Sequence, residues 1–411
     1  MAYQGRYNNG GSMGGSNQRR RKSSGTAWKI VLAVVLTFVL TLGLVAGVAV
    51  WYINSKVGRV NQATFEEKDT SGQDLSSLIG NLDETAPAQL EDTVPAEPIE
   101  TEPPTEAPTE APTEPDYGKT GKVVNILVVG QDTNVGEDHK LADCIMLVTL
   151  NKETRTVVLT SFLRDSYIKL PDYYRGHTCG WNRINTAYAL GYSWFGTAGA
   201  MEMLDITLNN NYGVTVDGNV EFSFDSFKAV VAAVGGVEVD LYGDELTAMQ
   251  EHAERYNRYY DEYLPEKERA ILSEGPCLLN DDLALEYVRL RHANAADNDM
   301  NRVKRQQLVL SKIVKKVAAL SPLELNSLID EVLGMIITDI SEEDIKTYIT
   351  ELTPYLFNLN FVANQIPADG TYKGEMKDLP DGPSGVLVNY NFQKNKEIMA
   401  AVQAGELPPT E

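Results

Sequence analysis

Hydrophobic patterning divides the chain into three regimes. Residues 30–55 run 26 positions without a charge, from IVLAVVLTFVLTLGLVAGVAV through Trp51 and Tyr52. About 20 apolar residues suffice to span a bilayer. Trp28 and Trp51 fall at the two ends, where aromatic rings favour the interface. A secretory signal is the competing reading, with a small-residue site at Val45–Ala49, but its apolar core normally spans only about 7–15 residues. The pattern therefore predicts an uncleaved single-pass anchor over 30–55. Residues 56–120 then lose apolar periodicity, and 101–115 reads TEPPTEAPTEAPTEP with nothing to bury. Such composition favours an extended polyproline-II-like chain, stretched further by like charges. A disordered stalk is predicted over 56–120.

Beyond residue 120 the pattern becomes that of a packed domain. Residues 123–130 read as a buried strand ending at a glycine turn. Residues 144–150 and 156–163 read as two more strands joined by the polar turn at 151–154. If that turn sets Leu150 opposite Arg155, Asp143 faces Phe162 and Arg164 becomes its diagonal neighbour on the same face. Asp132, at the exit of the first strand, then reaches the same rim; a one-residue slip would undo this geometry. Further on, the spacing predicts helices over 195–209 and 224–234 and strands over 212–222 and 237–240. A Tyr-rich helical excursion is expected over 244–272, then helices over 281–291 and from Asp299 to about 320. Arg302, Arg305 and Gln306 stand at i, i+3 and i+4 on the last of these, on one face. Arg289 and Arg291, at i and i+2, point differently around a regular helix. The tail shows helices over 323–334, 342–355 and 392–404 and strands over 359–366 and 386–390. It carries no recognisable catalytic pattern and reads as a packing appendage. Alternating strands and helices make an α/β body.

Charge sharpens the picture. The formal net charge is −22, and residues 1–56 hold seven Arg and Lys and no acid, which leaves −29 for the remainder. The Arg19-Arg20-Arg21-Lys22 cluster ahead of the apolar run predicts a cytoplasmic N-terminus and an extracytoplasmic body. A body that acidic argues against nucleic acid as a partner, because such binding runs on phosphate neutralisation. The cysteines Cys144, Cys179 and Cys277 are odd in number and widely spaced, and the histidines show no zinc spacing. Within this acidic body, arginines gather with aspartates at predicted element ends. Arginine suits bidentate capture of phosphate oxygens, and carboxylates among arginines hold a hard metal ion or steer the arginines themselves.

Seven short blocks, taken in order over 123–318, resemble the LytR-CpsA-Psr family of Gram-positive cell-envelope enzymes. They are Gly130-Gln131-Asp132, Asp143-Cys144, Ser161-Phe162-Leu163-Arg164-Asp165, Arg183-Ile184-Asn185-Thr186-Ala187-Tyr188, Gly235-Gly236-Val237, Ala284-Leu285-Glu286-Tyr287-Val288-Arg289-Leu290-Arg291 and Asp299-Met300-Asn301-Arg302-Val303-Lys304-Arg305-Gln306. Two departures stand out: Thr133-Asn134 where the family often has an arginine, and Cys144 for its usual threonine. The resemblance implies a mixed central sheet flanked by helices. It also implies a transferase that moves a glycopolymer from an undecaprenyl-pyrophosphate carrier to a muramyl hydroxyl of peptidoglycan, with the isoprenoid in an apolar pocket and Mg2+ or Mn2+ at the pyrophosphate.

On that footing the organisation is a basic cytoplasmic tail (1–29), an anchor (30–55), a stalk (56–120), the catalytic domain (121–320) and an α/β appendage (321–411). Asp132 and Asp143 are the metal candidates, with turn capping the plain alternative for Asp132. Arg164 is expected to clamp the pyrophosphate, with Asp165 orienting it, and Arg183 is expected as a second clamp. Arg289 and Arg302 complete the catalytic set; Arg291, Arg305 and Gln306 are expected to bind the pyrophosphate, against a merely solvated face. Asp299 is a cap or a participant. Hydrolysis of the same donor and a non-catalytic envelope regulator are the competing functions, and the bilayer is an expected partner.

Overall fold

The computed structural model describes residues 60–68, 118–131, 141–259, 270–291, 299–320, 324, 328, 335–355, 358–380 and 382–408. The expected anchor, most of the stalk and Asp132 lie outside these residues. Among the described residues no helix is long and apolar enough to cross a membrane.

The strands are β1 (Asn61–Gln62), β2 (Val123–Gln131), β3 (Ala142–Asn151), β4 (Thr156–Phe162), β5 (Ser166–Lys169), β6 (Tyr173–Tyr174), β7 (His177–Thr178), β8 (Trp181–Arg183), β9 (Gly218–Phe222), β10 (Val237–Leu241), β11 (Gly275–Leu279), β12 (Ile337–Thr338), β13 (Asn360–Ile366), β14 (Tyr372–Leu379) and β15 (Gly382–Asn389). The principal helices are α1 (Ile184–Tyr212), α2 (Phe224–Ala233), α3 (Gly243–Tyr259), α4 (Asp281–Arg289), α5 (Asp299–Ala319), α6 (Glu342–Leu352) and α7 (Phe392–Gln403). A seven-stranded mixed sheet runs in the order β1-β12-β9-β2-β3-β4-β13, and a four-stranded sheet runs β14-β15-β5-β8.

Strand alternation fixes what each face of the large sheet touches. Leu127, Val129, Ile145 and Leu147 pack with Ile184, Leu204, Leu208 and Tyr212 of α1 in the main core. Their neighbours Val128, Gly130, Cys144 and Met146 face the other way and line a cavity under α2, α4 and α5. A mixed sheet between helical layers is thus present, as the resemblance implied.

The hairpin register corrects the expected one. β3 pairs β4 with Leu150 opposite Val157 and Met146 opposite Ser161, two residues away from the pairing of Leu150 with Arg155. The turn keeps four residues but moves one along, to 152–155: Asn151 Oδ1 accepts from the N–H groups of Glu153 (2.9 Å) and Thr154 (3.2 Å), and Arg155 turns the chain at φ 53°. A shift of two preserves facing, and continued to the strand ends it sets Asp143 opposite Arg164 rather than diagonal to it.

Two other expectations change, and one holds. α1 begins eleven residues before the predicted start at 195, and the expectation covered only its second half; the two halves meet at a kink, Phe195 (φ −137°, ψ 19°) and Gly196 (φ 70°, ψ −163°). Gly235 and Gly236 stop α2 where the pattern placed its end: both have positive φ, and Lys316 of α5 donates to the Gly236 carbonyl at 2.8 Å. The tail expected as an appendage supplies β13, parallel beside β4, and β15, parallel beside β5, while α7 packs Ile398 and Met399 into the main core. Buried Val386 and Ile366 need those partners to leave water.

Candidate functional site: a polar-mouthed apolar pocket

A cavity of about 740 Å³ lies between the large sheet and helices α2, α4 and α5. On α5 the lining residues are Arg302, Gln306, Leu310, Ile313 and Val317, spaced as one helical face. At 1.5 Å per residue this face is about 22 Å long, and its chemistry changes along the way. Its N-terminal end meets Gln131, Asp143, Glu286, Arg289 and Arg291, whereas Phe227, Val230, Leu328 and Ile336 join the apolar residues of the wall.

The polar end is organised by Asp143 on β3. Arg164, just past β4, donates from Nη1 to Asp143 Oδ1 at 2.5 Å, and Arg291 Nη2 stands 3.9 Å from the same oxygen. Arg164 Nε lies 3.4 Å from Asp165 Oδ2. These groups are only partly exposed, so their attraction is screened less than at an open surface. Arg289, in the last turn of α4, lies over the Phe224 ring at 4.5 Å and is 3.8 Å from Glu286. Glu286 is itself held by His252 Nδ1 at 3.0 Å, and that hydrogen bond lowers its pKa, so it stays charged. In the wall beside Asp143, burial pushes the Cys144 thiol up to about 12, against the pull of Arg302. The thiol is therefore neutral near neutral pH and behaves as an apolar wall atom.

Of the residues expected at the site, Asp143, Arg289, Arg291, Arg302 and Gln306 line this mouth, and Arg164 and Asp165 join it from behind through the Arg164–Asp143 pair. Arg183 does not line the cavity. It ends β8 beside Arg164, whose carbonyl accepts from the Asn185 N–H at 3.4 Å. Arg305 is a correction. It is 6% exposed, donates from Nε to Glu245 at 2.5 Å and from Nη1 to the Leu290 carbonyl at 2.8 Å, and lines no part of the cavity. Three positions turn a helix by 300°, and the acid of α3 captures the side chain that this rotation presents. Asp132 and the Asp299 side chain lie outside the described residues.

Sequence reasoning missed Gln307. Its amide nitrogen reaches the Asn364 carbonyl (2.7 Å), Ser161 Oγ (2.9 Å) and the Leu159 carbonyl (3.1 Å). It ties α5 to β4 and β13, immediately ahead of Arg164. The doubled glutamine Gln306-Gln307 was the signal available.

Among the described residues no group of three or more His, Cys, Asp or Glu gathers as a metal cage. Among the described residues Asp143 and Glu286 are the carboxylates that line the mouth, and Glu286 is already engaged by His252 and Arg289. That fits an ion such as Mg2+, which takes one or two carboxylates and completes its shell with phosphate oxygens and water.

A family model described as the LytR_cpsA_psr family matches residues 82–375. The chain belongs to that family. The match begins ahead of residue 121 and ends inside the tail, within β14. Among named relatives, the chain is 31% identical over 208 residues to "Polyisoprenyl-teichoic acid--peptidoglycan teichoic acid transferase TagT" of Bacillus subtilis, covering 50% of this chain and 56% of that protein. It is 30% identical over 218 residues to "Biofilm regulatory protein A" of Streptococcus mutans, covering 50% and 48%. The chain thus spans about half the length of these relatives. In fold it is similar to the solved structure "TagT bound to LIIa-WTA" (TM-score 0.50, 23% identity, 71% of this chain and 94% of that one). It is similar also to protein gbs0355 of Streptococcus agalactiae (TM-score 0.52, 24% identity, 70% and 90%).

Proposed function

We propose that the protein is a membrane-anchored phosphotransferase that moves a glycopolymer from a polyisoprenyl-pyrophosphate carrier to a hydroxyl of peptidoglycan. The observation that carries this reading is a single cavity joining a charged mouth of arginines around Asp143 to a long apolar wall. A lipid-borne pyrophosphate has that polarity: an anion at one end, hydrocarbon at the other. Relatives named as teichoic acid transferases support the class of reaction. The anchor over 30–55 and an extracytoplasmic body agree with a lipid donor in the membrane and an acceptor outside it.

In this reading the isoprenoid lies along Leu310, Ile313 and Val317, and the pyrophosphate sits among Arg164, Arg289, Arg291 and Arg302. The acceptor oxygen bonds to the phosphorus on the sugar side. The bridging P–O bond breaks, lipid phosphate leaves, and the hydroxyl proton passes to a carboxylate at the rim. Guanidinium groups fixed before the reaction stabilise the leaving charge without reorganising. Arg183 extends the positive rim on the acceptor side of Arg164. Mg2+ or Mn2+ held by Asp143 would add further charge neutralisation at the same phosphates.

The test uses the full chain in detergent, a lipid-linked donor and peptidoglycan oligomers. Polymer joined to glycan through phosphate is expected. Free polymer phosphate alone would mean hydrolysis instead, and full attachment by Arg164→Ala would leave the regulator reading standing.

A further inference from the structure

Residues 60–68 fall inside the segment that composition marks as a stalk, yet they are fastened to the body at four backbone points. β1 adds a parallel strand to the edge of the large sheet. Asn61 N–H donates to the Ile336 carbonyl at 3.3 Å and Ala63 N–H to the Thr338 carbonyl at 2.7 Å. The chain then crosses the kink of α1, where Glu66 N–H donates to the Phe195 carbonyl (3.1 Å) and Lys68 N–H to the Trp194 carbonyl (2.9 Å). A kink leaves helical carbonyls without their usual i+4 donors, and this segment supplies them. Two cation–π contacts flank the crossing: Lys68 Nζ over Tyr192 at 3.6 Å, and Arg175 over Phe65 at 4.4 Å. Gly196 takes φ 70° at the crossing, a left-handed backbone that favours glycine, and its nearest neighbour there is the Thr64 carbonyl oxygen.

The far end of the acidic segment is fastened independently. Lys119 and Thr120 donate their N–H groups to the two Glu351 carboxylate oxygens at 3.0 and 2.9 Å, and Thr120 Oγ1 donates to Glu351 at 2.6 Å. Between Lys68 and Gly118 the sequence holds thirteen Asp and Glu and no Lys or Arg. Both boundaries of this stretch are therefore points on one body. A segment that begins and ends on the same body does not set that body's distance from anything else.

We propose that residues 60–68 are a strap that ties the body to the chain directly after the membrane anchor. The acidic Pro/Thr/Glu-rich segment then begins and ends on the body and does not separate it from the anchor. The strap rests on the reading of 30–55 as an anchor. Five residues separate Ser55 from β1, a reach of at most about 18 Å of extended chain. Ile336, whose carbonyl accepts from the Asn61 N–H, also lines the apolar part of the cavity.

The test is a protease site placed within 101–115 of the full-length protein, in its native membranes. It is compared in two forms, strap intact and strap broken by Ala63→Pro with Lys68→Pro, which removes two of the four donors. Thermal melting of both forms checks that the body stays folded. After cleavage the body is expected to sediment with the membranes when the strap is intact and to enter the supernatant when it is broken. Release from both forms, or retention by both, overturns the strap. If the uncut protein is already in the supernatant, the anchor reading has failed, not the strap. Gel filtration of the two cleaved forms then decides: co-elution of the fragments only with the intact strap supports it, and separation in both overturns it.

Discussion

Arg302 and Arg305 stand within one turn of each other on α5 and belong to the same sequence block, yet they meet opposite surroundings. Both are nearly buried, at 3% and 6% exposure. Arg302 lines the cavity mouth with Arg289, Arg291 and Gln306. Arg305 turns to α3 and the end of α4, where Glu245 and the Leu290 carbonyl take it up. One arginine faces the cavity, and the other is consumed in holding three helices together. Residue type and spacing nominate both; only the neighbour, 60 residues away in sequence, assigns them.

Removing the mouth cations should give the largest effects. Arg302→Ala and Arg164→Ala are each expected to lower kcat/KM for polymer transfer by roughly 10²–10³-fold, the usual loss of one preorganised charge-stabilising group. Steady-state transfer with purified donor measures it. Equal loss on Arg305→Ala, at matched folded fraction, would erase the contrast between the two arginines.

Arg305→Ala should act on stability instead. It leaves Glu245 facing a buried gap and the Leu290 carbonyl without its donor, a cost of about 2–3 kcal/mol. Tm should fall by roughly 5–10 °C, with kcat/KM per folded molecule changed only a few-fold. Adding Glu245→Ala should restore part of the loss, because the orphaned carboxylate goes with it.

Legibility in the sequence divides along the same line between local and distant causes. β2, β3, β4, α4 and α5 were legible because their apolar periods are local and strong. The mouth residues of those elements were legible with them. The first half of α1 was not: Ile184–Leu190 is buried all round, which leaves no polar stripe, and Arg183 offers no side-chain cap. The place of β13 was equally hidden, since its partner β4 lies some 200 residues earlier. Asn151 shifted the hairpin register by two through a side-chain turn that strand alternation does not encode. The docking of 60–68 was masked by the acidic, Pro-rich composition of residues 69–117.

Gln307 sharpens the comparison from the other side of the helix. At 100° per residue, positions 305 and 307 flank the 302/306 face on opposite sides, so Arg305 and Gln307 are the two fastenings of one presenting surface. Gln307→Met keeps the volume and removes the bonds to β4 and β13. A loss of about tenfold in kcat is expected from misplacing Arg302 and Gln306, with a smaller change in donor KM. A change confined to Tm would reduce Gln307 to a packing residue.

The smallest effect concerns a carboxylate held by an amide rather than a guanidinium. Glu245 has Arg305, whereas Asp205 on α1 has the amide of Asn219 at 2.8 Å, which also binds Asp339 at 2.7 Å. Burial first, then the nearby Asp339 charge, push Asp205 up to about 7. The folded state therefore holds a proton that the unfolded chain releases near its ordinary carboxylate pKa. Stability from this group is complete below about pH 4 and is lost as pH rises toward 7. That is opposite to the slope of a carboxylate paired with arginine. Asp205→Asn keeps the acceptor and removes the titration, so the Tm difference between variant and parent should grow in the variant's favour from pH 4 to 7 and then level. A difference that stays flat across that window would mean Asp205 is charged throughout, stabilised by Asn219 alone.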